Sequence, residues 1–164
     1  MDLTPKPASA SATEMTEVVL PNDANPLGFM LGGTVMHLID IAGALAAIRH
    51  TRSPVVTAAV DGLQFLHPIK VGDIIMLEAR VSAAFAHSLE VQVDVFSEES
   101  LSGARRMTSR AYLTFVAVES DGRPAPVAPL ILETAADRQR AAEAQDRRAL
   151  RLAAKEKLAA AQSA

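Results

Sequence analysis

The run from Gly32 to Ile48, GGTVMHLIDIAGALAAI, constrains this chain more than any other stretch. Two glycines open it, no proline interrupts it, and nearly every later position is apolar. At about 3.6 residues per turn, such a segment is a helix that is apolar on almost all sides, and a helix of that kind belongs inside a protein. Yet it carries Asp40, with His37 and Thr34 one and two turns earlier on roughly the same side. A carboxylate on a buried helix costs free energy unless it is paired, hydrated or used. The fold must therefore wrap this helix and also give Asp40 a reason to be there.

The flanking segments can do the wrapping. Met15 to Leu20 reads as a short strand ended by Pro21, and Asn22 to Gly28 is a turn-rich loop that continues through Phe29-Met30-Leu31 to the helix. The helix is expected to stop near His50, because Arg49, His50 and Arg52 suit the negative end of its dipole and Pro54 forbids continuation. From Val55 onward the pattern changes to alternation. It predicts strands over Val55 to Leu66, Ile74 to Ala84, Ser88 to Glu98 and Arg105 to Glu119, with turns at Pro68 to Asp73, Ser100 to Ala104 and Asp121 to Pro124. In Ser88 to Glu98, Leu89, Val91, Val93 and Val95 alternate with Glu90, Gln92, Asp94 and Phe96, the mark of a half-buried antiparallel strand with one polar face. A strand, a long buried helix and then about four strands define an α+β arrangement in which an antiparallel sheet curls around the helix.

The termini read differently. Met1 to Glu14 is rich in Pro, Ser, Thr and Ala, lacks the apolar run of a secretory signal, and is expected to be a loose tail. Glu133 to Ala161 is rich in Ala, Arg and Glu with no Gly or Pro, which predicts a helix whose thin apolar stripe suits a solvated appendage or a contact between subunits. The expected division is a tail over 1–14, one domain over 15–132 and a charged helical tail over 133–164.

Composition removes several classes of function. The net charge of −3 argues against nucleic acid as a partner. With no cysteine there is no disulfide, thiolate metal site or cysteine nucleophile, and the four histidines show no tight metal-ligand spacing, so neither a metal nor a redox cofactor is expected. The central apolar run is too short, and too interrupted by His37 and Asp40, to span a membrane, and a cytoplasmic location is expected.

Four pieces of the chain carry a family pattern. They are Pro21-Asn22-Asp23-Ala24-Asn25 followed by Gly32-Gly33-Thr34; the segment Asp40 to Gly43; Val60-Asp61-Gly62-Leu63-Gln64-Phe65-Leu66-His67-Pro68-Ile69 with Val71-Gly72-Asp73; and His87-Ser88-Leu89-Glu90-Val91-Gln92-Val93 running on to Gly103-Ala104-Arg105-Arg106. In that order and spacing, over roughly Val18 to Pro129, they resemble the hotdog fold, specifically acyl-CoA thioesterases of the brain acyl-CoA hydrolase and bacterial YciA type. The resemblance implies an antiparallel sheet around the central helix and hydrolysis of acyl-CoA. It also implies a homodimer with active sites at the shared boundary, often assembled further into a hexamer. A curled sheet with an open edge is itself a pairing surface.

Thioester hydrolysis needs a base or nucleophile, donors for the developing oxyanion, and a slot for the acyl chain and the CoA moiety. Asp40 matches the family's acid and is the candidate base or nucleophile. Its structural alternative is an Asp paired with His37 or with an Arg of a partner. Asn25 matches the family's loop Asn, contributed from the other subunit, or else it is an Asx-turn residue. Gly32 and Gly33 stand at the positive end of the helix, where free amides suit an oxyanion hole, with Gly33 the better donor. Two glycines also make an ordinary turn. Arg105, Arg106 and Arg110 form a basic group that would pair with CoA phosphates, as the family's basic residues there imply, or they edge a solvated strand. The family's basic residue near Ala86 is missing. Asp61 is a second candidate carboxylate that alternation places on the helix side of its strand, or else a structural acid, and His37, His67 and His87 read as bland polar positions. The competing functions are a non-catalytic acyl-CoA-binding hotdog and a hotdog hydratase or dehydratase, against which the histidine-free loop from Asp23 to Gly33 counts.

Overall fold

The computed structural model describes residues 3–162. Met1, Asp2, Ser163 and Ala164, part of the expected terminal segments, lie outside the described residues. In chain order the elements are β1 (Lys6–Pro7), β2 (Thr13–Val18), α1 (Gly32–Thr51), β3 (Val55–Phe65), β4 (Ile74–Ala84), β5 (Ser88–Glu98), β6 (Arg105–Ala117), β7 (Leu130–Ile131) and α2 (Ala135–Gln162). Five strands form one antiparallel sheet in the order β2-β4-β5-β6-β3, and β1 pairs with β7 in parallel.

The core lies between α1 and the inner face of that sheet. Ile75, Leu77 and Val81 of β4, Leu89, Val91, Val93 and Val95 of β5, and Leu113 and Phe115 of β6 are buried. They pack in one cluster with Val35, Leu38, Ile39, Ala42, Ala46 and Ala47 of α1. Small residues let the helix sit close to the sheet: a Cβ on Gly43 would lie 3.0 Å from the Phe115 ring, with Val93 just beyond. The helix ends at Arg52, which takes φ 54 and donates its N–H to the Ile48 carbonyl, two residues before Pro54.

The sheet does not close around α1. Met36, Leu45 and Ile48 of α1 remain 46%, 41% and 40% exposed, and Met36 shares a cleft with Thr57, Val60 and Leu63 of β3, whose outer edge has no partner strand among the described residues. On β3 itself Val56 is 50% exposed. A helix apolar on almost all sides thus keeps some of its apolar side chains uncovered in a single protomer.

Three expectations are corrected. The N-terminal segment is not loose from Lys6 onward, because β1 pairs with β7, Ala8 and Ser11 are buried, and Ser11 Oγ accepts the Val81 N–H at 2.9 Å where β4 shifts register. The first sheet strand accordingly runs Thr13–Val18 rather than Met15 to Leu20. The polar face of β5 is not solvated, because α2, packed against β4, reaches over it with its side chains. Glu90 is 1% exposed and receives two hydrogen bonds from Arg147, at 2.8 and 3.0 Å, and one from Ser82 Oγ at 2.6 Å. The Arg147 guanidinium also stacks 3.5 Å above the Tyr112 ring. At the start of α2, Thr134 and Asp137 exchange side-chain and backbone hydrogen bonds as a capping box. Burial opposes the charge on Asp137, but hydrogen bonds from Arg140 and Thr134, with Arg80 nearby, hold its carboxyl down at about 2. The thin apolar stripe of this helix is therefore supplemented by ion pairs rather than by more apolar surface.

The far end of α1 is anchored through His50. Its Nε2 lies 2.8 Å from the Ala128 carbonyl, and its own carbonyl accepts from Lys6 Nζ at 2.7 Å. No helix among the described residues is long and apolar enough to cross a membrane.

Candidate active site

Two turns into α1, Asp40 faces the gap that the sheet leaves open. Its Oδ1 accepts a hydrogen bond of 2.6 Å from Thr57 Oγ1, which reaches across from β3. Oδ2 carries no partner among the described residues. The carboxylate is half-buried, not enclosed as the apolar run suggests, because this side of α1 opens on a cleft beside β3. Asp40 and Thr57 line a cleft of about 390 Å³ together with Gly33, Met36 and His37 on one side and Val60, Leu63 and Leu113 on the other. The cleft is thus polar where Asp40, His37 and Thr57 meet and apolar along Met36, Ile39, Val60, Leu63 and Leu113. His37 shares it but makes no hydrogen bond to Asp40, so the pairing of Asp40 is with Thr57 and not with His37.

Gly33 belongs to the first turn of α1, where N–H groups have no partner within the helix. Space beside it is open: a Cβ there would meet nothing within 4 Å. Gly32 is placed otherwise. A Cβ on it would lie 3.3 Å from the Phe65 ring, and it lines a neighbouring cleft of about 290 Å³ with Phe29, Met30 and Phe65.

Asn25 does not line the Asp40 cleft within one protomer. Its Oδ1 accepts from the N–H groups of Leu27 at 3.0 Å and Phe29 at 3.2 Å, which is the Asx-turn arrangement. Gly28, at φ 78, completes the turn by donating to the Asn25 carbonyl. Nδ2 has no partner among the described residues.

The three arginines are not one group. Arg105 pairs with Glu78 at 2.5 Å and lies 4.2 Å above the Phe96 ring, and Arg110 holds both oxygens of Asp94. The Asp94 carboxylate raises the Arg110 pKa. Arg106 alternates to the other side of β6 and shares a polar cleft with Lys70, Asp73 and Glu99. Asp61 turns away from α1 and is bonded at 2.5 Å by Arg151 of α2, which corrects its inward placement by simple alternation. Thr57 is the site residue that the sequence did not single out. One threonine in a strand carries no spacing signal, and its role depends on a residue of α1 that folding brings opposite. Among the described residues no cluster of His, Asp and Glu could hold a metal.

Residues 27–104 match a family model described as the thioesterase superfamily. The chain is 39% identical over 119 residues to the uncharacterised acyl-CoA thioester hydrolase YkhA of Bacillus subtilis strain 168, covering 73% of this chain and 69% of that protein. The crystal structure of an apo-hexameric acyl-CoA thioesterase superposes with a TM-score of 0.89 at 37% identity, over 93% of this chain and 97% of that one. An acyl-CoA hydrolase from Staphylococcus aureus, solved with butyryl-coenzyme A and coenzyme A, has a TM-score of 0.84 at 34% identity, over 93% of this chain and 96% of that one. Mutants of the Staphylococcus aureus enzyme with one Asp, one Asn or one Thr changed to Ala share the fold. In their numbering, that Asp stands 15 positions after that Asn, and that Thr 17 positions after the Asp.

An antiparallel sheet packed on one long central helix is the hotdog fold of the thioesterase superfamily, and the chain belongs to that superfamily. Within it, the chain is an acyl-CoA thioester hydrolase.

Proposed function

We propose that Asp40 drives the hydrolysis of acyl-CoA to free fatty acid and CoA at a site completed by a second copy of this chain. The observation that carries this reading is the Thr57–Asp40 bond at the mouth of a half-apolar cleft. Thr57 occupies one carboxylate oxygen and turns the other toward the space where a thioester carbonyl would lie. The spacing of the three positions changed in the Staphylococcus aureus enzyme supports it, since Asn25, Asp40 and Thr57 are separated by the same intervals.

The step is simple to balance. On the base route, Asp40 takes a proton from the water that adds to the thioester carbonyl carbon, and the Gly33 N–H donates a hydrogen bond to the carbonyl oxygen as it becomes an oxyanion. Collapse breaks the C–S bond, and the CoA sulfur leaves as the thiol with the proton that Asp40 held. Asn25 of the second copy positions the water or the thioester through its free Nδ2. At the CoA end, Arg106 with Lys70 receives phosphate, since neither carries an ion pair among the described residues. Arg105 and Arg110 take part where phosphate displaces Glu78 or Asp94, and Gly32 allows the substrate to pass close to the backbone. No metal or cofactor enters. The unpaired β3 edge and its exposed apolar side chains are the surfaces for a homodimer, and the hexameric relative supports assembly of three such dimers.

The test is release of free CoA, followed with a thiol reagent. Asp40→Asn is expected to lower kcat/KM by about a hundredfold to ten-thousandfold with the folded state intact. Full activity in that variant overturns the assignment. A single turnover in ¹⁸O-water, run with and without hydroxylamine, separates the two ways Asp40 can assist: label in the Asp40 carboxyl or a trapped acyl-Asp40 anhydride marks a covalent nucleophile, and label in the fatty acid with no trapped anhydride marks a base.

A further inference from the structure

Strand β3 departs twice from simple alternation. Its register against β6 shifts between Thr57 and Ala59 and again between Asp61 and Gln64. Counted by twos from Thr57, the inward positions would be Ala59, Asp61 and Leu63, which would put a carboxylate in the cleft wall. The first shift instead pairs Val60 with Leu113, whose side faces α1, and Asp61 with Tyr112, whose side faces α2. The second shift passes through Gly62, at φ 65, and returns Leu63 to the core side. Thr57, Val60 and Leu63 therefore meet the cleft at every third residue, and its strand wall is apolar beyond Thr57.

On the opposite face, Arg151 of α2 holds Asp61 at 2.5 Å, with the two side chains 20% and 24% exposed. This ion pair grips the strand between its two irregularities. Arg147, one turn earlier on the same helix, is itself anchored on Glu90 of β5. The grip is thus tied to the centre of the sheet.

We propose that the doubly shifted β3 sets acyl-chain selectivity, with Leu63 and Val60 as the selecting wall and Asp61–Arg151 as the pair that positions it. The proposal rests on Asp40 acting at the thioester, because that places the acyl chain against this wall. It gives α2 a part in the reaction: it holds the outer side of a strand whose inner side the substrate meets. Arg151 and Asp61 are positioning residues, since neither touches the substrate.

The experiment measures kcat/KM for straight-chain substrates from acetyl-CoA to palmitoyl-CoA, with melting temperature recorded for each variant. Leu63→Ala is expected to move the optimum to longer chains, and Leu63→Phe to shorter ones, with the long-to-short ratio changing about tenfold in each direction. Arg151→Met is expected to broaden the profile and raise KM for the preferred chain, with kcat within about twofold of wild type. Arg151→Lys, which keeps the pair, retains the native profile. Leu63→Met replaces Leu63→Ala if the smaller side chain lowers melting below the assay temperature. The proposal is overturned if every Leu63 variant scales all chain lengths by one factor. It is also overturned if Arg151→Met changes melting alone. Those failures are distinct from failure of the site itself, which Asp40→Asn reports separately by keeping its activity.

Discussion

At the residue scale, Asp40 shows how a costly side chain is accommodated. The carboxylate is not walled off by its apolar helix, because the sheet ends beside it and Thr57 supplies a hydrogen bond to a charged acceptor. Removing that hydroxyl while keeping the shape, in Thr57→Val, frees the carboxylate to rotate. It is expected to lower kcat by about tenfold to a hundredfold, the value of one hydrogen bond to a charged group, with KM little changed. His50 is the opposite case, a polar ring kept neutral. Burial lowers its pKa from 6.5 and Lys6 adds to that, while the bond to Ala128 opposes them. With Nε2–H donating to Ala128, Nδ1 is a buried acceptor with no partner among the described residues, and a proton there would be stranded. The unfolded chain takes up that proton first, so stability holds above 6.5 and falls as pH drops below it toward the folded value. Melting temperature from pH 7 to 5 is expected to fall less steeply in His50→Gln than in wild type.

At the element scale, α2 is the least legible part of the chain. Its own sequence is charged, with only Asp137 and Ala144 buried along its length, so hydrophobic periodicity says little about where it lies. Its position is fixed by a row of contacts, in which Arg140 meets Asp137, Arg147 meets Glu90 and Tyr112, and Arg151 meets Asp61. Glu90 is the costly member, a carboxylate at 1% exposure in the middle of a strand. Arg147→Ala leaves that carboxylate buried with Ser82 as its remaining partner and is expected to cost about 3–5 kcal/mol in urea unfolding. Replacing both partners, Glu90→Leu with Arg147→Leu, is expected to cost less than the single change, because no charge is then left uncompensated. Equal losses in the two would show that packing of the long Arg side chain, not charge, holds the helix.

At the scale of the whole molecule, the free edge of β3 carries exposed apolar side chains. Val56, Val60 and Phe65 of β3 and Met36 of α1 are apolar and between 46% and 53% exposed. A free strand edge next to such a patch is a template for pairing, and a second copy satisfies it without new sequence. A charge on that edge should block the pairing. Val56→Lys is expected to move the protein to monomer by sedimentation and to remove most hydrolysis, even though Val56 is not part of the cleft. Wild-type activity in a proven monomer would place the complete site within one chain and leave no role for Asn25 of a second copy.

The sequence by itself determined the class of this protein. One helix apolar nearly all round, followed by alternating strands, left an antiparallel sheet around that helix as the economical way to bury it. The boundaries of β4 and β5 follow from the alternation of their residues. Asp40 stood out because a charge in an apolar run is locally visible. The sequence was silent on every feature that depends on residues far apart in the chain: Thr57 as the partner of Asp40, the buried Ser11 that ties the N-terminal segment to β4, and α2 against the polar face of β5. It also misplaced Asp61, because alternation assumes a regular strand and β3 shifts register twice. Local patterns record which face of an element is apolar. Only tertiary packing decides which polar groups meet across faces, because those energies exist only once distant segments are in contact.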